Sequence, residues 1–220
     1  MKAKNGDRRL PVSFRLGFHV QAARYNPAAT QGRLNMLYAK SSKTSARYGG
    51  IAQSFHWATV LLVGITYVLS PGGPETRIYS AALDGPREWH ESFGMLLFAL
   101  VLLRLMWRLF SGAPEPVPMA AWMRASAQAA HWALYALLFA IPLTAIAGAW
   151  LEAHPLTLLG IGNIPPLFAP AHDLGATIAD LHTILGNVIL WLAGFHAAAA
   201  LFHHYVLRDD TLRSMLPSWK

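Results

Sequence analysis

Ten histidines and no cysteine stand among 220 residues. Thiolate metal sites, iron–sulfur clusters, disulfides and cysteine nucleophiles are therefore excluded, and the histidines remain as the conspicuous chemistry-bearing residues. Near the C-terminus, LHTILGNVILWLAGFHAAAALFHH places His182 and His196 14 residues apart. On an α-helix this spacing returns to within about 40° of the same face, about 21 Å further along the axis. His56 in SFHWATVLLV and His90 in REWHESFGMLLF each lie near one end of a long apolar stretch. Ionisable groups inside apolar segments are costly to keep, so four of them at matched positions point to function rather than packing.

The elements that carry them follow from composition. Hydrophobic residues make up 54% of the chain and charged residues 13%, the latter about half the share of a soluble domain. Four apolar stretches run at about 49–70, 87–110, 125–151 and 175–206. Each reaches the ~20 residues that cross a hydrocarbon layer as a helix, and a backbone in lipid must bond internally, so helices are predicted. Proline clusters at 71–74, 114–118 and 155–170 separate them, and Pro142 inside the third predicts a kink. The expected fold is all-α, a transmembrane four-helix bundle over 49–206. A basic tail (1–48) precedes it and a short C-terminal tail (207–220) follows. The first tail holds ten Lys/Arg against one acid and no signal-peptide stretch. It reads as disordered or as sequence upstream of a later start, with Met36 the candidate.

The net charge of +7 then reads as topology. Sixteen of the 18 Lys and Arg flank one side of the spans, with Arg77 and Arg87 alone on the other. The positive-inside rule puts both termini in the cytoplasm and removes the case for a nucleic-acid partner. Trp89, Trp122 and Trp150 near span ends suit an aromatic belt. Alternating direction places His56 and His196 toward the cytoplasmic side and His90 and His182 toward the opposite side. Two bis-imidazole sites result, the arrangement that fills both axial positions of a haem iron. Zinc is the competing reading, but it gathers three or four ligands around one ion, and these residues gather two and two. Gly94 and Gly186, each four residues beyond such a histidine, would let a flat macrocycle approach the backbone; ordinary helix–helix packing is their alternative.

SFHW, WHESFG, LHTILGN and above all GFHAAAALFHHYVLRDDTLRSMLP resemble the bacterial cytochrome b561 family over about Tyr48 to Pro217. Its members are four-helix, di-haem b-type cytochromes of the inner membrane. The resemblance implies non-covalent haem b held by His56, His90, His182 and His196, and electron transfer with ubiquinone as acceptor. One type in the family oxidises superoxide, which makes superoxide the leading donor here. The basic tail has no counterpart in the family pattern.

Other residues carry weaker signals. His203, seven residues beyond His196, lies on nearly the same face at the cytoplasmic surface. It is the candidate proton donor to a quinone oxygen, against a solvated interfacial histidine. His204 points about 100° away, toward the surface. His131 opens the third span and either rivals His56 or lines a quinone pocket. Arg104 and Arg108 share a face at the cytoplasmic end of the second span. They read as partners of haem propionates or as snorkelling anchors. His19, His154 and His172 read as solvated, and Glu91 and Asp180 as surface acids. Arg77 and Arg87 could draw an anionic donor, but seven carboxylates on that side oppose a strong positive funnel.

Two other functions fit the same pattern. One is a haem-bearing membrane anchor of a dehydrogenase or hydrogenase complex, fed by a docked partner. The other is a non-redox transporter, disfavoured because intramembrane acids are few. As a first test, a chain beginning at Met36 is expected to bind haem at the same haem-to-protein ratio as the full chain in a pyridine haemochrome assay. A large loss would make the tail structural.

Overall fold

The computed structural model describes residues 47–70, 81–112, 114 and 117–217, with backbone alone for 81–84. The expected tail falls outside the described residues except for Arg47 and Tyr48, as do His19, Met36 and Arg77.

Four helices dominate: α1 (Gly50–Val68), α2 (Ala81–Ser111), α3 (Ala121–Leu151) and α4 (His172–Phe202). Each is long and apolar enough to cross a membrane. Side-chain pairs fix their directions. His90 early in α2 meets the Thr66 carbonyl late in α1 and the ring of His182 early in α4. Arg104 late in α2 meets His56 early in α1, whose ring faces His196 late in α4. Neighbouring helices therefore run in opposite directions. One end of the bundle carries the start of α1 and the end of α4 (the terminal end), and the other carries the α3–α4 connection.

Burial is inverted relative to a soluble fold. Among the described residues, the buried hydrophobic side chains are Val101, Leu156 and Ile189, joined by polar Gln53, Thr59 and Thr66. Large side chains such as Phe110, Trp132, Trp191 and Phe195 face outward, as required where the surroundings are lipid. Hydroxyls inside the helices are absorbed locally. Thr59 donates to the Phe55 carbonyl at 2.7 Å, Thr66 to Leu62 at 2.9 Å, and Thr144 to both Ala140 and Ile141 at 2.8 Å. Trp89 and Trp122 are exposed near helix ends. Trp150 departs from the expected belt: it meets Phe168 edge-on at 5.4 Å, and its Nε1 is buried without a partner.

The α3–α4 connection, read as loop from its prolines, holds a small antiparallel hairpin, β1 (Leu156–Leu158) and β2 (Gly162–Ile164). Gly160 and Gly162 supply its positive φ values of 76° and 132°. The hairpin is tied to α2. Glu91 Oε2 accepts the Thr157 N–H at 2.8 Å, and Ser92 Oγ accepts the Leu159 N–H at 3.0 Å. Two expectations change here. Glu91 is tucked under the hairpin with 12% of its side chain exposed, and His154 lies 3.5 Å from it at 20% exposure, not in free solvent. His154 follows Ala153, whose positive φ of 59° turns the chain at the end of α3. It looks like loop in sequence, but in the structure it lies against Glu91 of α2.

At the terminal end, α4 passes into a π turn at His203–Leu207 and then into a strap. The strap includes a 3₁₀ turn at Arg213–Met215. Far from a free tail, it is fastened to the start of α1. Tyr48 N–H and Gln53 Nε2 both donate to the Ser214 carbonyl, and Trp57 Nε1 donates to that of Met215 at 2.9 Å.

The backbones of α3 and α4 approach closely at Gly148. A Cβ on Gly148 would stand 3.3 Å from the Ala179 nitrogen, whereas one on Gly64 would meet nothing within 4 Å. Gly148→Val is therefore expected to destabilise the bundle by about 1–3 kcal/mol through overpacking, and Gly64→Ala to leave stability unchanged or slightly raised. Thermal unfolding in detergent, followed by circular dichroism, checks the pair.

Candidate functional site

The four histidines singled out by spacing meet in two pairs at opposite ends of the bundle. His90 and His182 have ring centroids 6.1 Å apart, and His56 and His196 have theirs 6.5 Å apart. Two imidazole–metal bonds of about 2.0 Å plus two ring radii of about 1.1 Å sum to about 6 Å. Each pair thus leaves room for one metal atom between the rings. Among the described residues, no three of His, Cys, Asp and Glu gather as a metal-ion cluster.

The first pair is oriented by the backbone. His90 Nδ1 lies 2.8 Å from the Thr66 carbonyl, and His182 Nδ1 lies 2.9 Å from that of Ile141. A carbonyl only accepts, so each Nδ1 carries the proton, and Nε2 is left with the lone pair a metal requires. The Thr66 carbonyl is available because α1 ends at Val68, and the last turn of a helix has no amide left to bond its carbonyls.

Beside this pair lies a cavity of about 440 Å³ lined by His90, His182, Gly94, Gly186, Asn187 and Leu156 of the hairpin, among others. The volume falls in the range of cofactor pockets. A Cβ placed on Gly94 or Gly186 would meet nothing within 4 Å. These glycines therefore keep space open rather than bring helices together, which settles the alternative left by the sequence. Tyr67 Oη reaches across to Asn187 Oδ1 at 3.4 Å.

The second pair is held differently. Arg104 donates to His56 Nδ1 at 3.4 Å and to Thr59 Oγ1 at the same distance. His131 joins them, its ring centroid 5.4 Å from that of His196. That separation falls short of the ~6 Å of two ligands on opposite sides of one metal atom, so His131 and His196 do not form a third pair of that kind. Arg104 and Arg108 both lie over the Tyr135 ring, at 5.6 and 6.0 Å. Tyr135 Oη is buried without a partner. A buried, unpartnered hydroxyl on a ring that two guanidinium groups overlie offers donors of the kind a carboxylate such as a haem propionate takes. Tyr135 escaped the sequence reading because a tyrosine in an apolar helix looks like any aromatic. Its place one turn beyond His131, on the same face, was the available signal.

His203 sits in the π turn with Nδ1 2.6 Å from Asp209 Oδ2. Its neighbour His204 is half-buried against Tyr205. On the opposite side, Arg87 is half-buried, and His172 is exposed, 3.6 Å from Glu152.

A membrane-spanning helical bundle with paired histidines at both ends defines the class of integral-membrane b-type cytochromes. A family model described as prokaryotic cytochrome b561 matches residues 47–218, and the chain belongs to that family, whose members bind b-type haem and transfer electrons. It is 32% identical over 176 residues to cytochrome b561 homolog 2 of Escherichia coli K12, covering 80% of this chain and 94% of that one. Homolog 1 of the same strain is 33% identical over 172 residues, covering 75% and 94%. A Yersinia pestis protein named probable superoxide oxidase CybB is 32% identical over 174 residues, covering 78% and 96%.

The cavity makes a direct prediction. Gly186→Leu fills open space without touching a neighbouring helix, so it is expected to lower the haem-to-protein ratio while far-ultraviolet circular dichroism stays unchanged. Full haem retention would show that the cavity is not where haem sits.

Proposed function

We propose that this chain is a di-haem cytochrome of the bacterial inner membrane, with both termini cytoplasmic. It carries electrons from a donor on the hairpin side to ubiquinone on the cytoplasmic side. The observation behind this reading is the pair of histidine pairs spaced along one helix, α4, with ring separations of 6.1 and 6.5 Å. His90 and His182 would hold one haem b, and His56 and His196 the other. Arg104, Arg108 and Tyr135 would receive the propionates of the second. Bound there, haem supplies one-electron redox chemistry at its iron.

The chain's own residues set the conditions. The Thr66 and Ile141 carbonyls fix the tautomers of the first pair. At the second pair, His56 now accepts from Arg104 at Nδ1, so its ring proton rests on Nε2. With a metal held at Nε2 the ring proton would sit on Nδ1, and Arg104, which lies over the Tyr135 ring, would be left to pair with a carboxylate. The apolar outer faces exclude water between the two ends.

Superoxide is the proposed donor, supported by the name of the Yersinia pestis relative. Two superoxide ions each give up one electron and leave as dioxygen. Ubiquinone takes both electrons with two protons and leaves as ubiquinol. His203 is the proposed catalytic residue, placed to protonate a quinone oxygen at the cytoplasmic surface.

A reduced-minus-oxidised spectrum of the purified protein is expected to show a b-type band, with two haems per chain by pyridine haemochrome. His182→Ala should leave one. A single haem in the wild type, or loss of both or neither in the variant, would sink the pairing.

A further inference from the structure

The partner of His203 stands out because three features of the chain combine to place it. The π turn at His203–Leu207 widens the end of α4, and Arg208 closes it in the left-handed region at φ 56°. That region is unfavourable for a residue other than glycine, so the turn is held by its surroundings. The His203 carbonyl accepts the N–H groups of both Arg208 and Asp209, which reverses the chain and returns the Asp209 carboxylate to the imidazole of its own turn.

The carboxylate is then pinned on both oxygens. Oδ2 meets His203 Nδ1 at 2.6 Å, and Oδ1 accepts the Thr211 N–H at 2.9 Å. The Thr211 hydroxyl stands 3.4 Å from the same Nδ1. Burial alone would raise the Asp209 pKa, but the hydrogen bonds from Thr211 and His203 outweigh it and hold the group below its ordinary value. An ionised carboxylate only accepts, so Nδ1 keeps its proton and Nε2 is the nitrogen left to meet a ligand. The strap that carries Asp209 is bonded to α1 through Ser214 and Met215. It reaches Trp57, whose ring is 5.3 Å from that of His56.

We propose that Asp209 is the positioning residue for His203, holding the imidazole so that Nε2 delivers a proton to a quinone oxygen. This rests on the reading of His203 given above. In the step itself, doubly protonated His203 gives up its Nε2 proton. The N–H bond breaks as an O–H bond forms on the quinone oxygen, and the ring ends neutral with Nδ1–H still on Asp209. The chain delivers the two electrons, the second quinone oxygen takes its proton from bulk water, and water re-protonates Nε2. Asp209 stays a carboxylate throughout, so its part is orientation and stabilisation of the imidazolium.

The test uses the haem-loaded protein, chemically reduced and then mixed in stopped flow with either a short-chain ubiquinone or ferricyanide. Ferricyanide takes one electron and no proton. His203→Ala and Asp209→Asn are each expected to slow oxidation by quinone by ~10-fold or more, within the range of general acid catalysis. Oxidation by ferricyanide should stay unchanged, Asp209→Glu should recover part of the quinone rate, and the double variant should be no slower than His203→Ala alone. A wild-type quinone rate in Asp209→Asn beside a slow His203→Ala overturns the role of Asp209 and leaves the quinone reading standing. A wild-type quinone rate in both variants overturns the role of His203 as well. Equal slowing with both acceptors makes the pair a structural clasp and overturns the proposal.

Discussion

In a layer without water, an imidazole can place its Nδ1 proton only on another part of the protein. At one end of this bundle that acceptor is backbone: the Thr66 carbonyl at the frayed end of α1 for His90, and the Ile141 carbonyl within α3 for His182. Each bond turns one ring and fixes one tautomer, and it does so from a neighbouring helix. The histidines therefore hold their geometry only if α1 stops where it does and α3 lies where it does against α4. Helix lengths and helix order become conditions on the chemistry.

The same dependence explains how small residues are distributed. Where α3 and α4 must meet closely, Gly148 faces the backbone at Ala179, and Gly175 faces Glu152 so tightly that a Cβ would stand 2.8 Å from its Oε1. Along the cavity beside His90 and His182, Gly94 and Gly186 face open space. One residue type thus brings two helices together at one level and keeps helices clear of the cavity at another. The terminal end gathers charge, with Arg104 and Arg108 over Tyr135 and with Asp209 behind His203.

Much of this was legible in the chain because membrane physics leaves few options. Apolar length marked the four helices, and helical periodicity put His182 and His196 on one stripe. Alternating direction assigned each its partner, and the structure brings those same rings together. What escaped depended on chain reversals with no periodic signature. The hairpin at Leu156–Ile164 hides Glu91 and His154, which in sequence look solvated. The left-handed Arg208 folds a supposed tail into a strap. Asp209 lies in a polar run, RDDTLR, where nothing distinguishes it from its neighbours until the turn brings it to His203. The unpaired Tyr135 hydroxyl is a statement about partners, which composition cannot make.

The hairpin has a mechanical meaning beyond shelter. Its polar tethers, Glu91 and Ser92, are the two residues that follow His90 on α2, and its Leu156 forms part of the cavity wall. Roof and imidazole are thus bolted to a single helical turn, and any tilt of that turn carries both. A molecule that docks on the outer face of the hairpin and leans on it would act through a lever one residue long. The force would be felt first by the hydrogen bond between His90 and Thr66.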